Sequence, residues 1–224
     1  MMTRITIHRG GQQDDAWRHL RLGCATGSGF ADVLAKPTSG KGESTSRRNY
    51  RVRLALEILT GQPEENTFTS KAIQTGIERE PIARARFEEE TGHLVEEVSF
   101  IKLNHMMAGC SPDGLIDDDA GLEIKCPSKA IHLSYLSLVD QPPDEYLAQV
   151  QGCMFITGRK RWHFVSFNPD FPPELQLHHF VVARDDLYIK RLEDELWRFQ
   201  ADVLRTVREL EQMAEQRRQL ARAA

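Results

Sequence analysis

Residues 111–126 read Ser-Pro-Asp-Gly-Leu-Ile-Asp-Asp-Asp-Ala-Gly-Leu-Glu-Ile-Lys-Cys, and the reading of the chain turns on them. Pro112, Asp113 and Gly114 form a corner, residues 117–121 an acidic turn, and residues 122–126 alternate apolar and polar side chains as a strand does. A hairpin of this form brings Asp113 beside Glu123 and Lys125. Residues two apart on a strand face the same way, so Glu123 and Lys125 share a side while Ile124 turns into the core. Two carboxylates and a lysine gathered in one place suit metal-assisted hydrolysis of a phosphodiester. A divalent cation there neutralises charge, activates water and stabilises the leaving oxygen. Mg²⁺ takes oxygen ligands and is commonly held through one or two carboxylates plus substrate phosphates. Asp113 and Glu123 are therefore the candidate ligands, with the Ile124 carbonyl beside them. Lys125 is the candidate to orient or deprotonate water, with a pKa expected to be lowered by partial burial. The competing reading is a solvated surface turn, which suits Asp117 to Asp119.

The composition limits the partners. The chain has 224 residues, a net charge of −4 and a pI of about 6.1. Proteins that coat nucleic acid indiscriminately are usually basic, so any contact with nucleic acid is expected in a local, lined cleft. Cys24, Cys110, Cys126 and Cys153 make no Cys-x-x-Cys pair, which points to a reducing cytosol. The N-terminus shows no apolar signal region, and no apolar run reaches the length of a membrane span. A phosphate-binding Gly-x-x-x-x-Gly-Lys-Ser/Thr loop is absent, so ATP is not expected. His178 and His179 lack spaced partners for zinc.

Around the hairpin the periodicity predicts helices over 14–22, 30–35, 47–60 and 67–91, with Pro81 kinking or splitting the last. Strands are expected over 94–102, 106–110, 122–126, 161–168 and 178–183. Helices are expected over 129–139 and 144–157, and one long helix from about residue 185 to 220. Residues 36–46 read as a loop. The order implies an α/β fold with a mixed sheet flanked by helices, in one domain with its core at about 12–185.

Five blocks carry a family resemblance: Asp-Asp-Ala-Trp-Arg-His-Leu-Arg-Leu-Gly (14–23), Ala-Lys-Pro-Thr-Ser-Gly-Lys (35–41), Cys-Ser-Pro-Asp-Gly-Leu (110–115), Gly-Leu-Glu-Ile-Lys-Cys-Pro (121–127) and Tyr-Leu-Ala-Gln-Val-Gln (146–151). In this order they resemble the phage lambda exonuclease family of viral-recombinase-type nucleases, within the PD-(D/E)XK superfamily. The resemblance implies a PD-(D/E)XK core and a Mg²⁺ or Mn²⁺ requirement. It implies processive 5′→3′ degradation of one strand of linear duplex DNA, leaving a 3′ single strand. It also implies a ring-shaped homotrimer, a single-strand annealing protein as partner in recombination, and the cytosol of a bacterial host of a phage or prophage. Carried onto this chain, Asp113 and Glu123 ligate metal, Lys125 is catalytic, and Glu80 completes the site, with Glu78 as its rival in register. Arg21, Ser28, Ser111 and Gln149 form a pocket for the 5′-phosphate, a set of donors that suits a phosphate dianion. Ile73 matches an apolar wedge, though its helical spacing equally fits plain core. Lys36, Lys41, Arg47 and Arg48 form a basic loop toward the duplex, in which Thr38 stands where the family has an arginine. Trp17, Trp162 and Trp197 read as core or interface. The rival functions are a structure-specific endonuclease of the same superfamily and a non-catalytic DNA-end-binding scaffold.

Overall fold

A computed structural model describes residues 4–38, 40–64 and 71–223. Its strands are β1 (Ile5–His8), β2 (Ala25–Thr26), β3 (Val95–Glu96), β4 (Phe100–Leu103), β5 (Ala108–Cys110), β6 (Gly114–Ile116), β7 (Ala120–Lys125), β8 (Arg161–Phe167) and β9 (Leu177–Ala183). Its helices are α1 (Asp15–Arg21), α2 (Phe30–Leu34), α3 (Thr45–Thr60), α4 (Lys71–Thr91), α5 (Lys129–Tyr135), α6 (Asp144–Thr157) and α7 (Asp186–Ala223). The chain is thus a mixed α/β fold, as its pattern predicts.

The strands fall into two sheets. One runs β1-β4-β5-β2 and the other β3-β6-β7-β8-β9. The stretch expected as a single strand over 94–102 divides between them: β3 pairs with β6, whereas β4 pairs with β1 and β5. Ser99, between the two, donates its hydroxyl to the Gly11 carbonyl at 2.8 Å and its N–H to the His8 carbonyl at 2.9 Å, on the side of the first sheet. β7 and β8 run parallel and lie at the centre of the second sheet. Parallel strands have both faces covered, and every residue of β7 except Lys125 is buried.

Helices cover both faces of β7. On one face Leu122 and Ile124 pack with Ala83 and Phe87 of α4. On the other face α6 approaches, bringing Gln149 and Tyr146 to Glu123 and Lys125. α6 is buried along most of its length, from Ala148 to Ile156. Small residues let its neighbours close in. A Cβ at Gly152 would lie 2.1 Å from the Phe30 ring, and one at Gly29 would lie 2.3 Å from the Tyr50 ring. The core extends past 12–185 in both directions. β1 joins the first sheet, and α7 buries Ile189, Leu192, Leu196, Phe199, Val203 and Val207.

Two further local differences have simple causes. α4 is a single helix through Pro81 rather than two pieces, because the packing of Ala83 and Phe87 holds the turns after the proline. The predicted start at 67 lies outside the described residues. α1 begins after Asp14, which accepts the Trp17 N–H at 2.7 Å, and α3 begins at Thr45, two residues before the expected start at 47, because Ser44 accepts the Arg47 N–H at 3.2 Å and caps it there.

Beneath α4 the second sheet holds a histidine cluster. The His163 and His179 rings stack at 5.0 Å, with Nδ1 of the first 2.8 Å from Nε2 of the second, and His93 lies 5.0 Å from His163. One proton serves the short contact; a second would set N–H against N–H. Burial first, then His179 and His93, depresses the His163 pKa from 6.5 to about 4. A depressed histidine is protonated in the unfolded chain before it is in the native one, so stability is complete above pH 6.5 and falls as pH drops toward 4. The loss near pH 4 is about 3 kcal/mol. Urea unfolding of wild type and His163→Gln at pH 7.5 and 5.0 checks this. The variant is expected to lose less stability than wild type on acidification; equal losses would remove His163 as the sensitive group.

Candidate active site

The Pro-Asp-Gly corner folds back onto β7. The Asp113 N–H donates to the Leu122 carbonyl at 3.2 Å, and Asp113 Oδ2 accepts the Ile124 N–H at 2.6 Å. The Asp113 carboxylate is therefore fixed against the strand that carries Glu123. Glu123 is only 1% exposed. Its Oε1 accepts from Lys125 Nζ at 2.5 Å and from Gln149 Nε2 at 2.6 Å. Its Oε2 is buried and has no hydrogen-bond partner among the described residues. Lys125 also lies over the Tyr146 ring, with Nζ 4.5 Å from the ring centre.

The charges act on one another. Burial, reinforced by Glu123 and Glu80, pushes the Asp113 carboxyl well above the usual carboxylate range. Burial also raises Glu80, against the pull of Arg84 and with a further push from Glu123. For Lys125 the sequence expectation is overturned. Burial does pull its pKa down, but the Glu123 and Asp113 carboxylates outweigh it, and the ammonium is held above its ordinary value. The charged ammonium is thereby favoured over the free amine.

The residues suit a cation. A buried carboxylate oxygen without a donor is costly unless something charged or polar meets it, and Glu123 Oε2 is such an atom. Among the described residues no three His, Cys, Asp or Glu side chains gather closely enough to enclose an ion by themselves. Glu80 on α4 feels the charges of Glu123 and Lys125, whereas Glu78 is exposed and accepts a hydrogen bond from Gln74. The geometry thus favours Glu80 over its rival.

The four candidates for the phosphate pocket fall into two pairs, Arg21 with Ser111 and Ser28 with Gln149. Arg21 ends α1 with Cζ 3.9 Å from the centre of the Trp17 ring. Trp17 Nε1–H in turn donates to Ser111 Oγ at 2.8 Å. Ser28 is the exposed centre of a single 3₁₀ turn, Gly27–Gly29. A Cβ on Gly27 would meet Gln149 Cγ at 3.5 Å, so this turn lies against Gln149, which reaches Glu123. Ile73 is 51% exposed, which excludes plain core. Lys36, Lys41 and Arg48 are exposed. Arg47 differs from the loop reading: its guanidinium lies over the Phe199 ring at 5.0 Å and pairs with Asp202 at 3.4 Å, so it fastens α3 to α7.

Residues 16–160 match the family described as the YqaJ-like viral recombinase domain. The chain belongs to that family. Among solved structures, an alkaline exonuclease (LHK-Exo) from Laribacter hongkongensis is 36% identical, covering 91% of this chain and 99% of that one, with a TM-score of 0.80. LHK-Exo in complex with dAMP gives a TM-score of 0.82 at the same identity and coverage. A phage related exonuclease from Haemophilus somnus 129PT shares the fold, with a TM-score of 0.66 at 15% identity over 84% of this chain and 96% of that one. A search of curated proteins gives no significant match. The family read from the sequence blocks is the one the YqaJ-like match identifies.

Three residues of this YqaJ-like domain join the site without a sequence signal that singled them out. Trp17 is not merely core, since it bridges Arg21 and Ser111. Tyr146 underlies Lys125. Arg84 joins Glu80 to the Asp113 corner. Trp17 and Tyr146 lie inside the matched blocks, so block membership was the available clue. Arg84 is four residues from Glu80, the spacing of neighbours on a helix.

Proposed function

We propose that the protein is a metal-dependent DNA exonuclease that degrades one strand of linear duplex DNA 5′→3′ from a 5′-phosphorylated end. It leaves a 3′ single strand for recombination by annealing. The observation that carries the reading is the unpartnered, buried Glu123 Oε2 beside Asp113 and Lys125, set in a YqaJ-like domain. Asp113 and Glu123, with the Ile124 carbonyl, would hold Mg²⁺, or Mn²⁺ in its place. When bound, such an ion supplies an activated water and charge stabilisation at the leaving oxygen.

The chain's own residues do the rest. Gln149 and Lys125 hold Glu123 Oε1, which leaves Oε2 for the cation. The Ile124 N–H keeps Asp113 in register with Glu123. Lys125, as an ammonium, orients water and offsets phosphate charge. Glu80 adds a further carboxylate from the helix side. Arg21, Ser28, Ser111 and Gln149 receive the terminal phosphate, which restricts cutting to chain ends. Ile73, exposed at the start of α4, splits the terminal base pair, and Lys41 meets the duplex backbone.

The protein works as a homotrimeric ring with a single-strand annealing protein, in the cytosol of a bacterial host. A ring that encircles its substrate stays on the strand without tight local contacts. This suits an acidic chain, −4 overall, with a local basic lining. Among the described residues no helix is long and apolar enough to cross a membrane.

The test is end polarity. With Mg²⁺, 5′-phosphorylated linear duplex is expected to be shortened from its 5′ ends, and covalently closed circles to resist. Cutting of circles at a rate comparable to linear DNA would overturn the exonuclease reading.

A further inference from the structure

Arg84 places all three of its guanidinium nitrogens on partners around the candidate site. Its side chain is 11% exposed, and its Nη2 meets Glu80 Oε1 at 2.6 Å. Nη1 meets Glu97 Oε2 at 2.8 Å, and Nε donates to the backbone carbonyl of Asp113 at 3.3 Å. The three partners come from three separate places: α4 itself, the link between β3 and β4, and the Pro-Asp-Gly corner. Arg84 follows Ala83, whose side chain is sealed against β7, so the stem of the arginine starts from a fixed point.

This geometry has a physical purpose. Glu80, Asp113 and Glu123 carry like charges, and like charges repel most strongly where water is scarce. Without a restraint Glu80 would swing toward solvent. A planar guanidinium with several donors fixes both distance and angle, which a lysine ammonium does not. Binding the Asp113 carbonyl as well ties the helix carboxylate to the corner that carries the other one. Glu80 Oε1 faces Arg84, and no hydrogen bond to Oε2 competes among those found for the described residues.

We infer that Arg84 is a positioning residue for the metal-binding carboxylates: it holds Glu80 on α4 against the Asp113 corner. The inference rests on the metal-dependent reading above. In this role Arg84 acts through Glu80.

The experiment is a double-mutant cycle between Arg84→Gln and Glu80→Gln, read by three measurements. They are thermal unfolding, Mn²⁺ binding to DNA-free protein by electron paramagnetic resonance, and kcat and KM on 5′-phosphorylated linear duplex. Groups that orient metal ligands affect metal affinity or activity by about 10- to 100-fold when removed. Arg84→Gln is expected to weaken Mn²⁺ binding and lower kcat within that range, with little change in KM for DNA. In the Glu80→Gln background it is expected to cost little more, since the partner it acts through is gone. A merely structural arginine would instead give losses that add in the double variant, or would lower the melting temperature while leaving Mn²⁺ affinity intact. Either result overturns the inference. If Arg84→Gln fails to fold, Arg84→Lys takes its place in the same cycle, keeping the charge but losing the three-way link. Should the wild type leave linear duplex uncut, the nuclease reading falls, while the Mn²⁺ arm of the cycle still decides whether Arg84 organises the carboxylates.

Discussion

Lys125→Ala is expected to lower the rate of strand cleavage by about 10²- to 10³-fold, the scale of losing one preorganised electrostatic donor, and to leave duplex binding largely in place. The expectation follows from what the ammonium touches. Its Nζ is 2.5 Å from Glu123 Oε1, so it orders that carboxylate, and in the proposed function it would set positive charge beside the phosphate. Its removal leaves Glu123 buried with only Gln149 on Oε1. An uncompensated buried charge costs about 3 kcal/mol or more, so the variant is also expected to melt at a lower temperature. Rates are therefore compared well below that melting point, with circular dichroism to show that the variant is folded and a filter-binding or anisotropy assay for DNA. A folded variant that cuts at the wild-type rate would take Lys125 out of the mechanism.

Arg21→Ala is expected to erase the preference for 5′-phosphate over 5′-hydroxyl ends. Hydrogen bonds to charged groups contribute about 1.5–3 kcal/mol, so the expected loss on phosphorylated ends is about 10- to 100-fold, with hydroxyl ends little affected. The argument is geometric. The Arg21 guanidinium is stacked on Trp17, whose N–H is spent on Ser111, so its plane is fixed before a phosphate arrives. Arg161→Ala is the control: Arg161 pairs with Asp119 at 2.8 Å at the exposed end of β8 and should leave the preference intact. Survival of the preference in Arg21→Ala would show that the terminal phosphate is recognised elsewhere.

Much of the fold was legible because the residues that build it are periodic. The alternation of residues 122–126 and 161–168 gives β7 and β8, and the stripe from Leu192 to Val207 gives the packed half of α7. What was illegible is local and short. β1 and β2 are strands of four and two residues whose form depends on partners distant in sequence. The division of 94–102 between two sheets follows from non-local pairing that no window of sequence contains. At the candidate site, Asp113, Glu123 and Lys125 were legible as a hairpin, and the structure does draw them together. The charge state of Lys125 was not, because it depends on whether burial or two neighbouring carboxylates prevail, and that is a question of distance. Arg47 was misread for a similar reason: a basic residue beside a loop looks solvated until the helix that covers it is placed.

Pro81 gives α4 a mechanical character. A proline supplies no N–H, so the carbonyl of Ile77 loses its helical donor, and the backbone ladder has a missing rung between two halves of unequal anchorage. After the proline, Ala83 and Phe87 are bolted to the sheet; before it, Ile73 and Ile77 project into solvent. The Glu80–Arg84 ion pair lies one turn further on and ties the residue before the proline to the anchored turns after it.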